Sequence, residues 1–166
     1  MHWGHAVSRN LIDWEHLPIA LYPDPMGTIF SGSAVIDWKN TAGFGKEAMI
    51  AIFTHHQEGK QAQSLAYSLD LGRSWNKYAE NPVLVFPGNS RDFRDPKVFW
   101  FQGNADSHWV MCLAAGEKVL FYKSPDLIHW TPSGQFCLDS NGRYGVWETP
   151  DLFELPVDHD GESRWV

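Results

Sequence analysis

The sequence predicts an all-β chain that forms part of a β-propeller, about three blades of four-stranded antiparallel sheet. Three observations carry this. One short pattern recurs: Phe30 opens FSGSAVI, Phe93 opens FRDPKVF and Trp147 opens WETPDLF, the starts lying 63 and 54 residues apart. A second pattern runs in step with it, from Ser8-Arg9-Asn10-Leu11 to Trp14, from Ser68-Leu69-Asp70-Leu71 to Trp75, and from Ser124-Pro125-Asp126-Leu127 to Trp130, with serine spacings of 60 and 56. Between these landmarks the apolar runs are strand-sized and no long stretch carries a helical period. Self-similarity at such a period marks a solenoid, propeller or array.

The elements follow in order. HAVS and WEHL read as a strand on each side of the first Ser-to-Trp turn, and WGHAVS has the look of a third strand, so an earlier copy of the longer pattern is expected before Met1. The next unit reads FSGSAVID, MIAIFTHH, SLAYS and WNKY; the one after reads FRDPKVFWF, WVMCLAA, VLFYKS and HWTPS. WETPDLF opens a further unit that DHDGESRWV leaves short, so the chain reads as 1–166 of a domain truncated at both ends. The turns suit Asp or Asn two positions after Ser, because short polar side chains bond nearby backbone groups. SLDLGRSW also fits the Asp-box hairpin of propeller proteins. Pro96 and Pro150 fall inside the first strand of their units, and proline is tolerated at an edge strand. The inner edge of a blade lines the propeller axis, so the variable pair of the pattern (Ser31-Gly32, Arg94-Asp95 and Glu148-Thr149) is expected to converge there.

Composition narrows the function classes. A formal net charge of −7 argues against nucleic acid or an anionic membrane as partner. No membrane-spanning run and no signal peptide are visible in these 166 residues. Two cysteines, Cys112 and Cys137, make no disulfide framework, and Cys112 in WVMCLAA reads as core. His2 with His5, and His55 with His56, lack a cysteine or carboxylate at metal-ligand spacing, so no metal site is expected. GFGKE lacks the strand–glycine–helix context of a phosphate cradle.

The segments HWGHAVSRNLIDWEHLPIAL, GTIFSGSAVID, FRDPKVFW and VWETPDLFELP together resemble glycoside hydrolase family 32, which contains levanases, inulinases, invertases and sucrose-6-phosphate hydrolases. The resemblance covers nearly the whole chain. It implies a five-bladed propeller, followed in the family by a β-sandwich that this chain lacks. It also implies retaining hydrolysis of β-fructofuranosides, with fructan or sucrose as substrate and no metal or organic cofactor. It places the complete protein outside the cytoplasm, extracellular or periplasmic. The family's RDP motif matches Arg94-Asp95-Pro96, where the aspartate binds sugar hydroxyls and stabilises the transition state and the arginine assists. Its acid/base glutamate matches Glu148, with Thr149 where the family usually has cysteine. Trp3 of WGH and Phe30-Ser31 of FSGS correspond to residues that line the fructose pocket. The family nucleophile sits in a WMNDPNG motif; no such stretch occurs here, and it is expected upstream of Met1.

The chemistry explains these residue types. Retaining glycosidases use two carboxyl groups, one attacking the anomeric carbon and one donating a proton to the leaving oxygen. A general acid works best where burial or a second carboxylate helps it keep its proton; Glu148, between Trp147 and Thr149 and facing Asp95, is expected in such surroundings. Asp95 is expected beside the Arg94 guanidinium. Ser31 and Trp3 have simpler readings, as a small residue for close blade packing and as a core tryptophan. Two other classes stay open. A sialidase would need an arginine triad, and only Arg94 stands at the repeated register. A non-catalytic carbohydrate-binding propeller would have no use for both Arg94-Asp95 and Glu148. Within the family, the tract from MHWGHAVS to PIALYPD resembles the exo-acting fructan hydrolases more than the sucrose-6-phosphate enzymes.

Overall fold

The computed structural model describes residues 1–86, 88, 92–104, 106–138, 145–158 and 161–166. The described residues form antiparallel sheets and no helix. Strands β1 (Trp3–Ser8) and β2 (Trp14–Leu21) make a hairpin. The next sheet runs β3 (Thr28–Asp37), β4 (Ala48–Gln57), β5 (Lys60–Ser68) and β6 (Asn76–Lys77), with β7 (Leu84–Val85) also pairing β5. The third runs β8 (Arg94–Phe101), β9 (His108–Ala114), β10 (Val119–Ser124) and β11 (Thr131–Phe136). A last hairpin joins β12 (Glu154–Pro156) to β13 (Ser163–Trp165).

Each four-strand set follows the expected order, with the boundaries moved where pairing decides them. The third strand of the first full unit is longer than SLAYS. It starts at Lys60, because the Glu58-Gly59 turn, with both residues at positive φ, lets β4 and β5 pair from Met49↔Ser68 to Gln57↔Lys60. The fourth strand, expected at WNKY, shrinks to two residues, and β7 takes over the rest of the β5 edge. In the second unit the fourth strand starts at Thr131, after HW. The third copy, WETPDLF, forms no strand. It lies against the preceding blade: Trp147 N–H donates to Gly116 O at 2.9 Å, and the Trp147 ring packs on Phe136.

β4 explains why MIAIF is a continuous apolar run. Successive strand residues point to opposite faces. Here Ile50 and Ile52 join a core with Leu65, Phe93, Met111, Leu113 and Leu127, while Phe53 joins Leu21, Ile29 and Ala66 on the other side. Both faces are therefore covered, one by the β8–β11 sheet and the other by the β1–β2 hairpin. Cys112 is buried as expected. The hairpin is also tied by polar groups: Asp24, just after β2, pairs with Lys77 and lies 3.3 Å from the buried His55 Nε2. Burial alone would raise the Asp24 pKa, but the Lys77 hydrogen bond, the Met26 N–H and the nearby charges outweigh it and hold it low.

The Ser-to-Trp turns are one structure built three times. Leu11, Leu71 and Leu127, following Asn10, Asp70 and Asp126, all take left-handed backbone with φ of 62°, 61° and 67°. The Asn or Asp side chain caps the backbone that follows: Asp13 N–H donates to Asn10 at 2.9 Å, Ser74 N–H to Asp70 at 2.9 Å and His129 N–H to Asp126 at 2.8 Å. Each tryptophan indole then donates back across the turn, to Leu11 O, Gly72 O and Leu127 O. The Asp-box reading of SLDLGRSW holds for its turn.

β3 and β8 are edge strands of their sheets and lie side by side. The Ser33 hydroxyl donates to Pro96 O and accepts from Val98 N–H, both at 2.9 Å. Pro96 thus sits on an edge, where its missing N–H costs nothing.

Candidate active site

The repeated pattern brings its three copies to one cleft. Its walls are Ser31, Gly32 and Ser33 from the first copy, Asp95, Pro96 and Lys97 from the second, and Thr149, Pro150 and Asp151 from the third, around about 250 Å³. These positions overlap within the pattern without being identical: the three copies meet at one cleft, but Arg94 and Glu148, also expected there, do not line it. A larger rim cleft, about 640 Å³, lies between the Asn10 turn and Leu71 and Arg73, and it contains none of these residues.

Local backbone makes the register work. β8 carries a bulge between Arg94 and Lys97, and β3 carries one between Ile29 and Gly32. A bulge removes residues from the ladder and re-aims their side chains. At the position two after the aromatic stand Gly32, Asp95 and Thr149. A Cβ on Gly32 would lie 2.1 Å from Ile52 O, so glycine is required there. Asp95 and Thr149 instead take positive φ, 62° and 46°, a conformation that non-glycine residues hold only when their surroundings fix it.

Asp95 is buried, with 8% of its surface exposed. Its Oδ2 accepts the Thr149 N–H at 2.9 Å, which couples the second and third copies through the residue next to Glu148. Arg94 does not bond Asp95 as expected. Its guanidinium reaches Asp92 and Glu148, the latter at 3.1 Å. The reason is the bulge, which leaves Asp95 facing Thr149 while Arg94 remains in the ladder opposite Ala114. Burial would lower the Arg94 pKa, but its bonds to Asp92 and Glu148 outweigh that and raise it. Glu148 also departs from expectation: its side chain is 65% exposed and its partner is a cation. Asp151 pairs with Lys97 at 2.7 Å, and that hydrogen bond holds its pKa below the usual carboxylate value.

Trp3 and Phe30 meet each other rather than the cleft. The Trp3 indole donates to Phe30 O at 2.9 Å and its ring sits edge-on to Phe53. Phe30 stacks on His56 with ring centres 4.5 Å apart. Ser31 does line the cleft. Among the described residues no three His, Cys, Asp or Glu side chains are grouped to hold a metal ion. Sequence reasoning missed Thr54, Gln61 and Gln63, buried polar residues behind Asp95. The available signal was the polarity of Thr54 directly after the apolar run MIAIF; β5, which holds Gln61 and Gln63, is mixed and offered none.

Chemically, the cleft offers a buried carboxylate, a hydroxyl and a Lys–Asp pair, with Glu148 and Arg94 adjoining through the same two segments. Hydroxyl-rich ligands suit such a set of close donors and acceptors. The model of the glycosyl hydrolases family 32 N-terminal domain matches residues 1–166. A levanase of Bacillus subtilis is 58% identical over 170 residues, covering 100% of this chain and 25% of that protein. The fructofuranosidase of Schwanniomyces occidentalis complexed with fructose superposes with a TM-score of 0.87 at 35% identity, over 99% of this chain and 33% of that one. The exo-inulinase of Aspergillus awamori gives 0.86 at 37% identity, over 99% and 37%. The chain thus spans between a quarter and about a third of the length of these proteins.

Proposed function

This chain belongs to glycosyl hydrolase family 32, and we propose that the complete protein removes terminal β-D-fructofuranosyl residues from fructans, with sucrose as a smaller substrate. The observation that carries the proposal is the convergence of Asp95, Thr149 and Ser31 on one cleft, with Glu148 joined to it through Arg94. The similarity to a levanase supports a fructan over a phosphorylated disaccharide. Polymeric fructan cannot cross a membrane intact, so the complete protein acts outside the cytoplasm.

The reaction is a double displacement with retention. Asp95, as a carboxylate, accepts hydrogen bonds from two sugar hydroxyls, and these strengthen as positive charge develops on the ring. Glu148 donates its proton to the leaving oxygen and afterwards takes one from the attacking water. Arg94 holds Glu148 at the cleft edge, and bound substrate supplies the cover that the exposed side chain lacks. Ser31, which lines the cleft, offers its hydroxyl to the sugar; for Trp3 and Phe30, which lie off the cleft, a place at the fructose rests on the family resemblance alone. The nucleophile that the family resemblance assigns is an aspartate of a WMNDPNG-like motif, a motif these 166 residues do not contain.

The test is fructose release from levan by the complete protein. Asp95→Asn and Glu148→Gln should each lower kcat at least about 100-fold, with unchanged melting temperature, and NMR should show β-fructofuranose as the first anomer. Wild-type turnover by either variant, or the α anomer first, would overturn the assignment. So would turnover by the 166-residue chain alone that matches the complete protein.

A further inference from the structure

Side chains of the neighbouring sheet hold the backbone on which Asp95 stands, and we propose that Thr54 and Gln63 are positioning residues for that carboxylate. The inference rests on the role given to Asp95 above. β4 and β5 pair Thr54 directly opposite Gln63. Opposed residues share a face of the sheet, and Thr54 Oγ1 donates to Gln63 Oε1 at 2.7 Å. Both residues are wholly buried. Gln63 Nε2 donates to Phe93 O at 2.7 Å, and the Asp95 N–H donates to Thr54 Oγ1 at 3.2 Å. Gln61, two residues before Gln63 and so on the same face, accepts the Phe93 N–H at 2.7 Å.

Main-chain groups of Phe93 and Asp95 are therefore met by side chains of another blade instead of a strand partner. The bulge creates the need. It takes Asp95 out of the β8–β9 ladder, which resumes at Lys97 opposite Cys112, and a buried N–H without a partner is costly. The left-handed backbone at Asp95 must also be fixed from outside. Packing alone does not account for the choice of residues. Thr54 follows Phe53 and Ile52 in a strand buried on both faces, where apolar side chains would avoid the desolvation cost. What the Thr54–Gln63 pair adds is a fixed location for the Asp95 backbone, and through it for the carboxylate that holds two sugar hydroxyls. A displacement of about 1 Å at such a group costs on the order of 100-fold in rate.

A double-mutant cycle in the complete protein tests this. Thr54→Val, which keeps the shape and removes the hydroxyl, should lower kcat on sucrose by roughly 10- to 100-fold with little change in KM. Thr54→Ser, which restores the hydroxyl, should stay within about 3-fold of wild type. In an Asp95→Asn background, Thr54→Val should cost less than about 2-fold, because its effect runs through the group already removed. If Thr54→Val does not yield folded protein, Thr54→Cys is carried through the same cycle. Full additivity, a Ser variant as impaired as the Val one, or unchanged kcat in Thr54→Val would each overturn positioning while leaving Asp95 in its role, provided Asp95→Asn is itself crippled. Wild-type turnover by Asp95→Asn would overturn the functional reading, and this inference with it.

Discussion

Phe93 and Trp147 open copies of the same pattern, yet Phe93 is fully buried while Trp147 is only partly covered and Glu148 beside it is 65% exposed. The second copy is a strand, paired with β9 and packed beside β3. The third has no ladder and reaches the second through a few polar links: Thr149 to Asp95, Glu148 to Arg94, and Asp151 to Lys97. The described residues thus hold the second copy in a ladder and the third through separate polar bonds. For the candidate site, one carboxylate is buried and accepts a backbone N–H, and the other is exposed and pairs with a cation.

The largest test of this contrast compares the two aromatics. In the complete protein, Phe93→Ala should cost about 3–5 kcal/mol, as expected for a fully buried aromatic, and Trp147→Ala less than half of that. Urea unfolding followed by fluorescence of the propeller measures both. Equal losses would show that the third copy is held as firmly as the second.

Acid should separate the copies next. The Asp151 carboxyl is held below its ordinary value of 3.8 by Lys97. Its contribution is therefore complete above that value and is lost as pH falls through the lower folded-state pKa. The amides of Thr149, Asp151, Leu152 and Phe153 should then exchange faster with solvent, while the Asp95 amide, bonded to a neutral hydroxyl, stays protected. Simultaneous loss of protection in both segments would place them in one cooperative unit.

The smallest effect belongs to the Lys97–Asp151 pair itself. Its side chains are 35% and 50% exposed, so a double-mutant cycle with Lys97→Ala and Asp151→Ala should give a coupling of about 0.2–1 kcal/mol that shrinks in high salt. A larger, salt-independent coupling would mean that the complete protein buries this pair.

The period of the two patterns, the order of strands and the Ser-to-Trp turns were legible in the sequence because each is local. Asx-type hydrogen bonds and left-handed leucines recur within a few residues of Asn10, Asp70 and Asp126, and apolar alternation follows from backbone geometry alone. The meeting of the three copies, at Ser31, Asp95 and Thr149, was legible in outline, because a fixed repeat on a radial scaffold brings neighbouring positions of its copies near one axis. The environment of each group was not. That Arg94 turns to Glu148 and Asp92 rather than to Asp95 follows from the bulge in β8. Glu148 is exposed in a segment without a ladder among the described residues, and that Thr54 reaches Asp95 and Gln63 reaches Phe93 follows from how two sheets lie against each other. Apart from Arg94–Asp92, which are two residues apart, these contacts join residues 30 or more apart in the chain. Only packing brings such residues together, so burial, partners and charge at the site come from the tertiary arrangement, while the residue types that could serve there come from the sequence.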